Sequence, residues 1–298
     1  MQLRKRVKAN AKIALKRQWG KAIAILMVIF ATAVFFSIVE QLFCRMFSLP
    51  TFEQVLRSVY QGDALNTGII VAVCVLFSFL SLLSFLILSP LLQGANRWYY
   101  HLAESNPQPV NGIFDFFVCF RYWWKSLWLS VNVTIRSLLW GVIFELPALA
   151  MYLLFRFART SANAYAPLLL MSLLLSIGLS LLGLVFLRIF LARYFLAKYL
   201  LSEDRTTGVR EAIRASVHFM KGRWIELFVL DITLLPYYLS CIVLLPLLGV
   251  VPYVQTCKAI YAKIWMEDYL QQKNATNVVI EESEFIIQEE LFPNESDQ

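Results

Sequence analysis

Residues 69–92 read IIVAVCVLFSFLSLLSFLILSPLL, twenty-four positions without one charged side chain. About 20 consecutive apolar residues cross the roughly 30 Å hydrocarbon core of a bilayer. At that depth the backbone finds no water, so the run must satisfy its own amides and carbonyls as a helix. A barrel strand would instead alternate polar and apolar positions over about ten residues. The stretch is therefore read as a membrane-spanning helix, and it sets the fold class.

Working outward, the runs 22–39, 127–155 and 168–195 are also long and apolar and carry few charges. Of 298 residues 59% are hydrophobic and 16% charged, with mean hydropathy +0.63, which leaves too few charges to cover a soluble domain. Region 224–260 is also apolar, but its 37 residues barely allow two crossings at about 1.5 Å per residue, and Pro236 and Pro246 interrupt it. A tight hairpin of short helices is expected there, with a re-entrant pair as the alternative. The first run follows a basic stretch and lacks a persuasive small-residue cleavage site after it, so it is expected to be a retained span. The expectation is an all-α polytopic membrane helical bundle of about six spans.

Basic residues orient it. Eight Lys and Arg precede the first span, three lie in the second connection, seven in the fourth and three in the C-terminal part, 21 on one side. Only Arg45, Arg57, Arg156 and Arg159 fall on the other, and Arg136 and Arg188 lie within spans. Cytoplasmic loops carry the Lys/Arg excess, which places both termini in the cytoplasm of a multi-pass protein of the cell membrane. Net charge is +7, yet residues 274–298 hold seven acidic side chains and no Lys or Arg. The rest is thus +14, a balance explained by the lipid bilayer and its anionic headgroups as partners, without nucleic acid.

A pattern recurs about every hundred residues, dividing a single transmembrane domain (1–273) into units 1–104, 105–204 and 205–273, each a helical hairpin preceded by an interfacial helix. Basic-aromatic junctions open the spans: Arg17-Gln18-Trp19-Gly20-Lys21, Arg121-Tyr122-Trp123-Trp124-Lys125 and Lys221-Gly222-Arg223-Trp224. Trp beside a cation suits a headgroup layer, so Trp19, Trp123, Trp124 and Trp224 are candidate anchors. Pro90, Gln93 and Tyr99 share their spacing with Pro252, Gln255 and Tyr261, and Val185, Arg188 and Tyr194 fill those places in the middle unit. Before the third unit Val209, Ile213, Val217 and Met220 form an apolar stripe, with Thr206 or Thr207 as N-cap, expected to lie on the membrane surface. Leu3, Val7, Ala11 and Ala14 make a weaker one at the start. Residues 274–298 are expected to be a disordered acidic tail.

Small residues at helical spacing mark the middle unit: Ser126, Ser130, Thr134, Ser137, Gly141 and Ala148, with Ser172, Ser176, Ser180 and Gly183 on the returning span. Close helix packing is the expectation and a polar pore lining the alternative. No catalytic motif is present: His101 and His218 lie in no metal pattern, and no phosphate loop, dinucleotide fingerprint or nucleophile elbow occurs. The five cysteines form no Cys-x-x-Cys pair, so neither a disulfide framework nor a metal site is expected. No cofactor or enzymatic activity is expected. Intramembrane charges remain, namely Arg136, Glu145, Arg188 and Asp231. Arg136 and Glu145 fall on opposite faces of one helix, while Arg188 and Asp231 share a depth at which an ion pair could clamp two units.

Glu211-Ala212-Ile213-Arg214-Ala215-Ser216, Phe219-Met220-Lys221-Gly222, Leu227-Phe228-Val229-Leu230-Asp231 and Val251-Pro252-Tyr253 with Tyr261 resemble the bacterial membrane family catalogued as domain of unknown function 975. The opening Ala11-Lys12-Ile13-Ala14-Leu15-Lys16 and Trp19-Gly20-Lys21-Ala22-Ile23 is similar to it as well. Members typically carry an aromatic-glycine stretch after the aspartate, where this chain has Thr233-Leu234-Leu235-Pro236. The resemblance implies a bacterial membrane protein and no particular activity. The expected role is a non-enzymatic envelope scaffold or accessory protein, whose acidic tail contacts a basic membrane-protein partner. The alternative is a small-solute or lipid transporter or channel using the intramembrane charges.

Overall fold

The long apolar runs all fall within helical segments of the computed structural model, which describes residues 2–61, 66–106, 108–160, 166–203, 207–241 and 244–291. Its helices are α1 (Gln2–Leu15), α2 (Trp19–Met46), α3 (Phe52–Gln61), α4 (Thr67–Ala103), α5 (Phe120–Thr160), α6 (Ala166–Leu191), α7 (Ala197–Glu203), α8 (Val209–Phe219), α9 (Trp224–Ser240) and α10 (Leu244–Leu291). Short 3-10 turns occur at Val110–Phe114 and Ala192–Tyr194. No strand occurs among the described residues.

Four segments are long and apolar enough to cross a membrane: Trp19–Met46, Thr67–Ala103, Phe120–Arg159 and Pro167–Glu203. Their outer faces carry exposed Phe, Leu, Ile and Val, such as Phe79, Leu138 and Leu182, which water would not tolerate in such number. The protein is therefore a helical membrane protein.

Region 224–260 forms two helices. Tyr237 lies against Tyr253 (ring centroids 5.5 Å apart), Asp231 against Lys258 and Arg223 against Asp268. As one number falls the other rises, so α9 and the first part of α10 run antiparallel. Pro246 falls in the first turn of α10, where its missing amide proton costs nothing. The 17 residues of α9 span only about 25 Å, less than a full hydrocarbon core. Beyond residue 273, where an unstructured tail is expected, α10 continues as helix to Leu291. The last seven residues lie outside the described residues.

Most of the buried side chains gather at one end of the bundle. Val7, Ala11 and Leu15 of α1, Leu91 and Trp98 of α4, Tyr199 of α7, Met220 after α8 and Tyr261 with Trp265 of α10 share one core. The amphipathic stripes are covered by protein. Val7 and Ala11 are buried while Leu3 is exposed, so α1 turns its apolar face into protein. On α8, Val209 and Ile213 pack on Leu129 of α5 and on Ala197 and Leu201 of α7, with Val217 beside them. The period was readable; what it packs against was not. Gly208 occupies the N-cap of α8 with no side-chain hydrogen bond, Thr206 lies outside the described residues, and the Thr207 carbonyl accepts from Lys125 Nζ at 3.1 Å.

One close approach and one left-handed turn set this end. A Cβ on Gly94 would lie 2.0 Å from the Ile113 carbonyl oxygen, so only glycine lets α4 meet the Val110–Phe114 turn. Gly222, at φ +86°, bends the chain from α8 into α9. The sequence reading missed α3. Thr51 and Gln54 close a reciprocal cap at its start (2.9 and 3.4 Å), and Phe52 stacks on Phe77 of α4 at 4.1 Å.

Candidate functional site

Asp231 belongs to α9 because residues 224–235 are apolar apart from Glu226, Asp231 and Thr233, and helix formation carries it to the buried end of the bundle. Arg188, on the last turns of α6, approaches its Oδ2 with Nη2 at 3.9 Å, the pair expected from the sequence. A nearer partner is one the sequence does not mark: Lys258 Nζ of α10 lies 3.0 Å from Oδ1. That contact is an ion pair off the axis of a hydrogen bond, since Oδ1 is buried with no hydrogen-bond donor. Lys258 is 16% exposed and Arg188 63%, so solvent screens the second contact far more.

Lys198 stands behind this pair, close enough to feel both charges. Its ammonium donates to Asn96 Oδ1 of α4 at 3.2 Å and lies 4.8 Å from the centre of the Tyr199 ring. Gln93 donates to the Lys198 carbonyl at 2.5 Å. Polar contacts thus tie α4 of the first unit to α7 of the second through Lys198, and α6 of the second to α9 of the third through Asp231. The spacing offered a signal. Gln93 and Arg188 occupy matched positions in the returning helices, and Asn96 and Lys258 each follow their unit's Gln by three residues.

Arg136 and Glu145 are kept apart, as their spacing requires. Arg136 lies over the Tyr194 ring at 5.3 Å and faces α8. Glu145 lies in the α5–α6 groove with Tyr152, Ser176 and Ser180, and its Oε1 is buried without a hydrogen-bond partner. Gly183 makes that groove tight, because a Cβ there would meet the Phe144 carbonyl at 2.8 Å and Glu145 Oε1 at 3.1 Å.

The small-residue stripe divides between two neighbours. Ser89 of α4 donates to Ser130 and lies 3.4 Å from the Ser126 carbonyl, whereas Ser176 of α6 donates to the Ala148 carbonyl at 3.0 Å. Both halves let backbones approach. Of the tryptophans, Trp19 and Trp224 pack on the core, Trp123 is half-buried beside Phe120 and Trp124 is 54% exposed.

No curated protein and no solved structure matches the sequence. A family model described as "Protein of unknown function (DUF975)" matches residues 1–266. The match takes in both ends quoted above and the region between them, along with every member of the Asp231 network. The chain belongs to the family of unknown function DUF975.

Proposed function

We propose that the protein is a non-enzymatic scaffold or accessory protein of the bacterial plasma membrane, with six spans in three hairpins and both termini in the cytoplasm. Its partners are the bilayer, anionic headgroups and a membrane protein that meets the acidic C-terminal end. The observation that supports this reading is the use of the costly polar groups. Arg188 meets Asp231, and Gln93 and Asn96 meet Lys198, across unit boundaries, while Lys258 holds Asp231 within the third unit. Charges near hydrocarbon are expensive, and those spent on holding helices together serve architecture first.

Crosslinked membranes carrying the whole chain or residues 1–273 test it. A membrane protein captured by the whole chain and lost from the truncated one is the expected result, and an unchanged set of partners overturns the tail contact.

Glu145 favours the transport alternative, since a carboxylate with an unpartnered buried oxygen faces a groove lined by two serines. Proton flux in proteoliposomes that disappears on Glu145→Gln, with insertion intact, would install that reading instead.

A further inference from the structure

Five cations line one cleft of about 620 Å³. Arg136 comes from α5, Arg193 from the turn after α6, Arg210 and Arg214 from α8, and Lys221 from the turn into α9. No Asp or Glu lines it. Among the described residues none of the five is held in an ion pair, not even by Glu211 beside Arg210 on α8; Asp231 is taken by Lys258 and Arg188, and Asp268 by Arg223. Like charges gathered beside a low-dielectric bundle repel one another unless an anion sits among them.

The arginines are also posed to receive one. Arg193 lies over the Phe190 ring at 4.4 Å and Arg136 over Tyr194 at 5.3 Å. Stacking on a ring holds the guanidinium plane and leaves its N–H edge free. Planar forks of this kind match the oxygens of a phosphate two at a time.

The rest of the lining says what carries the phosphate. Ile213 and Val217 give the cleft an apolar wall, and Trp224 stands at its edge. Next to Arg136 on α5, Ile135, Leu138 and Leu139 are each more than half exposed, so the mouth adjoins the apolar outer surface of a spanning helix. A soluble phosphate needs no such surface, whereas a lipid must leave its chains there. We propose that this cleft binds the phosphate headgroup of an anionic membrane lipid, an assignment that rests on the membrane-scaffold reading and gives it a defined ligand class.

Native mass spectrometry of the delipidated whole protein tests it, with phosphatidylglycerol and phosphatidylcholine of equal chain length as probes. Phosphatidylglycerol is expected to bind roughly tenfold or more tightly than phosphatidylcholine. The variant Arg193→Gln/Arg214→Gln should lose that preference. Lys5→Gln/Arg6→Gln, which removes the same charge from the exposed side of α1, should keep it. Equal binding of the two lipids by the wild-type protein overturns the proposal without any variant, as does equal loss in the α1 control. Displacement of the lipid by glycerol 1-phosphate at matched concentration assigns the cleft to soluble phosphates and overturns the lipid assignment. Release of the protein from membranes by alkaline carbonate would sink the scaffold reading too; retention with no lipid preference sinks this inference alone.

Discussion

A carboxylate near hydrocarbon is tolerated only where cations compensate it, and Asp231 has two of unequal worth. Lys258 is close and mostly buried; Arg188 is nearly an ångström farther and largely exposed. Breaking a buried pair leaves an uncompensated charge, whereas an exposed pair contributes little. Asp231→Asn, Lys258→Met and the double variant, unfolded thermally in detergent, should show a coupling of about 1–2 kcal/mol. The same cycle with Arg188→Met should give well under about 1 kcal/mol. Equal couplings would mean that Arg188 and Lys258 share Asp231 evenly. The sequence singles out Asp231 and Arg188 because they sit inside apolar runs. Lys258 escaped notice because it falls where a helix leaves an apolar stretch, and there a lysine reads as a cytoplasmic end.

For the short helices, periodicity reveals which face is apolar and is silent on what covers it. Lipid and protein reward the same stripe, and α1 and α8 both turned out to face protein. The difference is measurable. Ile213 is 3% exposed, so Ile213→Ala leaves a cavity and should destabilise by about 2–4 kcal/mol. Ile13, on the open side of α1, is 71% exposed, and Ile13→Ala should change stability by less than about 0.5 kcal/mol. Were the apolar face of α8 laid on lipid and not on protein, the two changes would be alike in detergent, and thermal unfolding would show it. The cap of α3 belongs to the same lesson. Thr51-x-x-Gln54 is a readable helix start, but its helix is short and polar beside the spans and was passed over for them.

For the molecule as a whole, the question is whether α9 and α10 cross. The charge count puts the termini on one side in either case, because a hairpin that crosses twice and one that turns back both return the chain to its starting face. Composition therefore cannot separate six spans from four. A helix of about 25 Å with Pro236 inside it falls at the margin of bilayer thickness. Two cysteines sit where the answers diverge. Cys119 is exposed just before α5 at the basic end, and Cys241 is partly exposed where α9 ends. In single-cysteine variants an impermeant maleimide should label Cys241 only in right-side-out vesicles and Cys119 only in inverted ones. That outcome requires α9 to have carried Cys241 across. Labelling of both from the inverted face alone would mean that the hairpin turns back, leaving four spans with the termini unmoved. Cys44 and Cys257 are buried, so each is replaced by alanine, which removes only the sulfur atom and keeps the packing loss small enough for the assay.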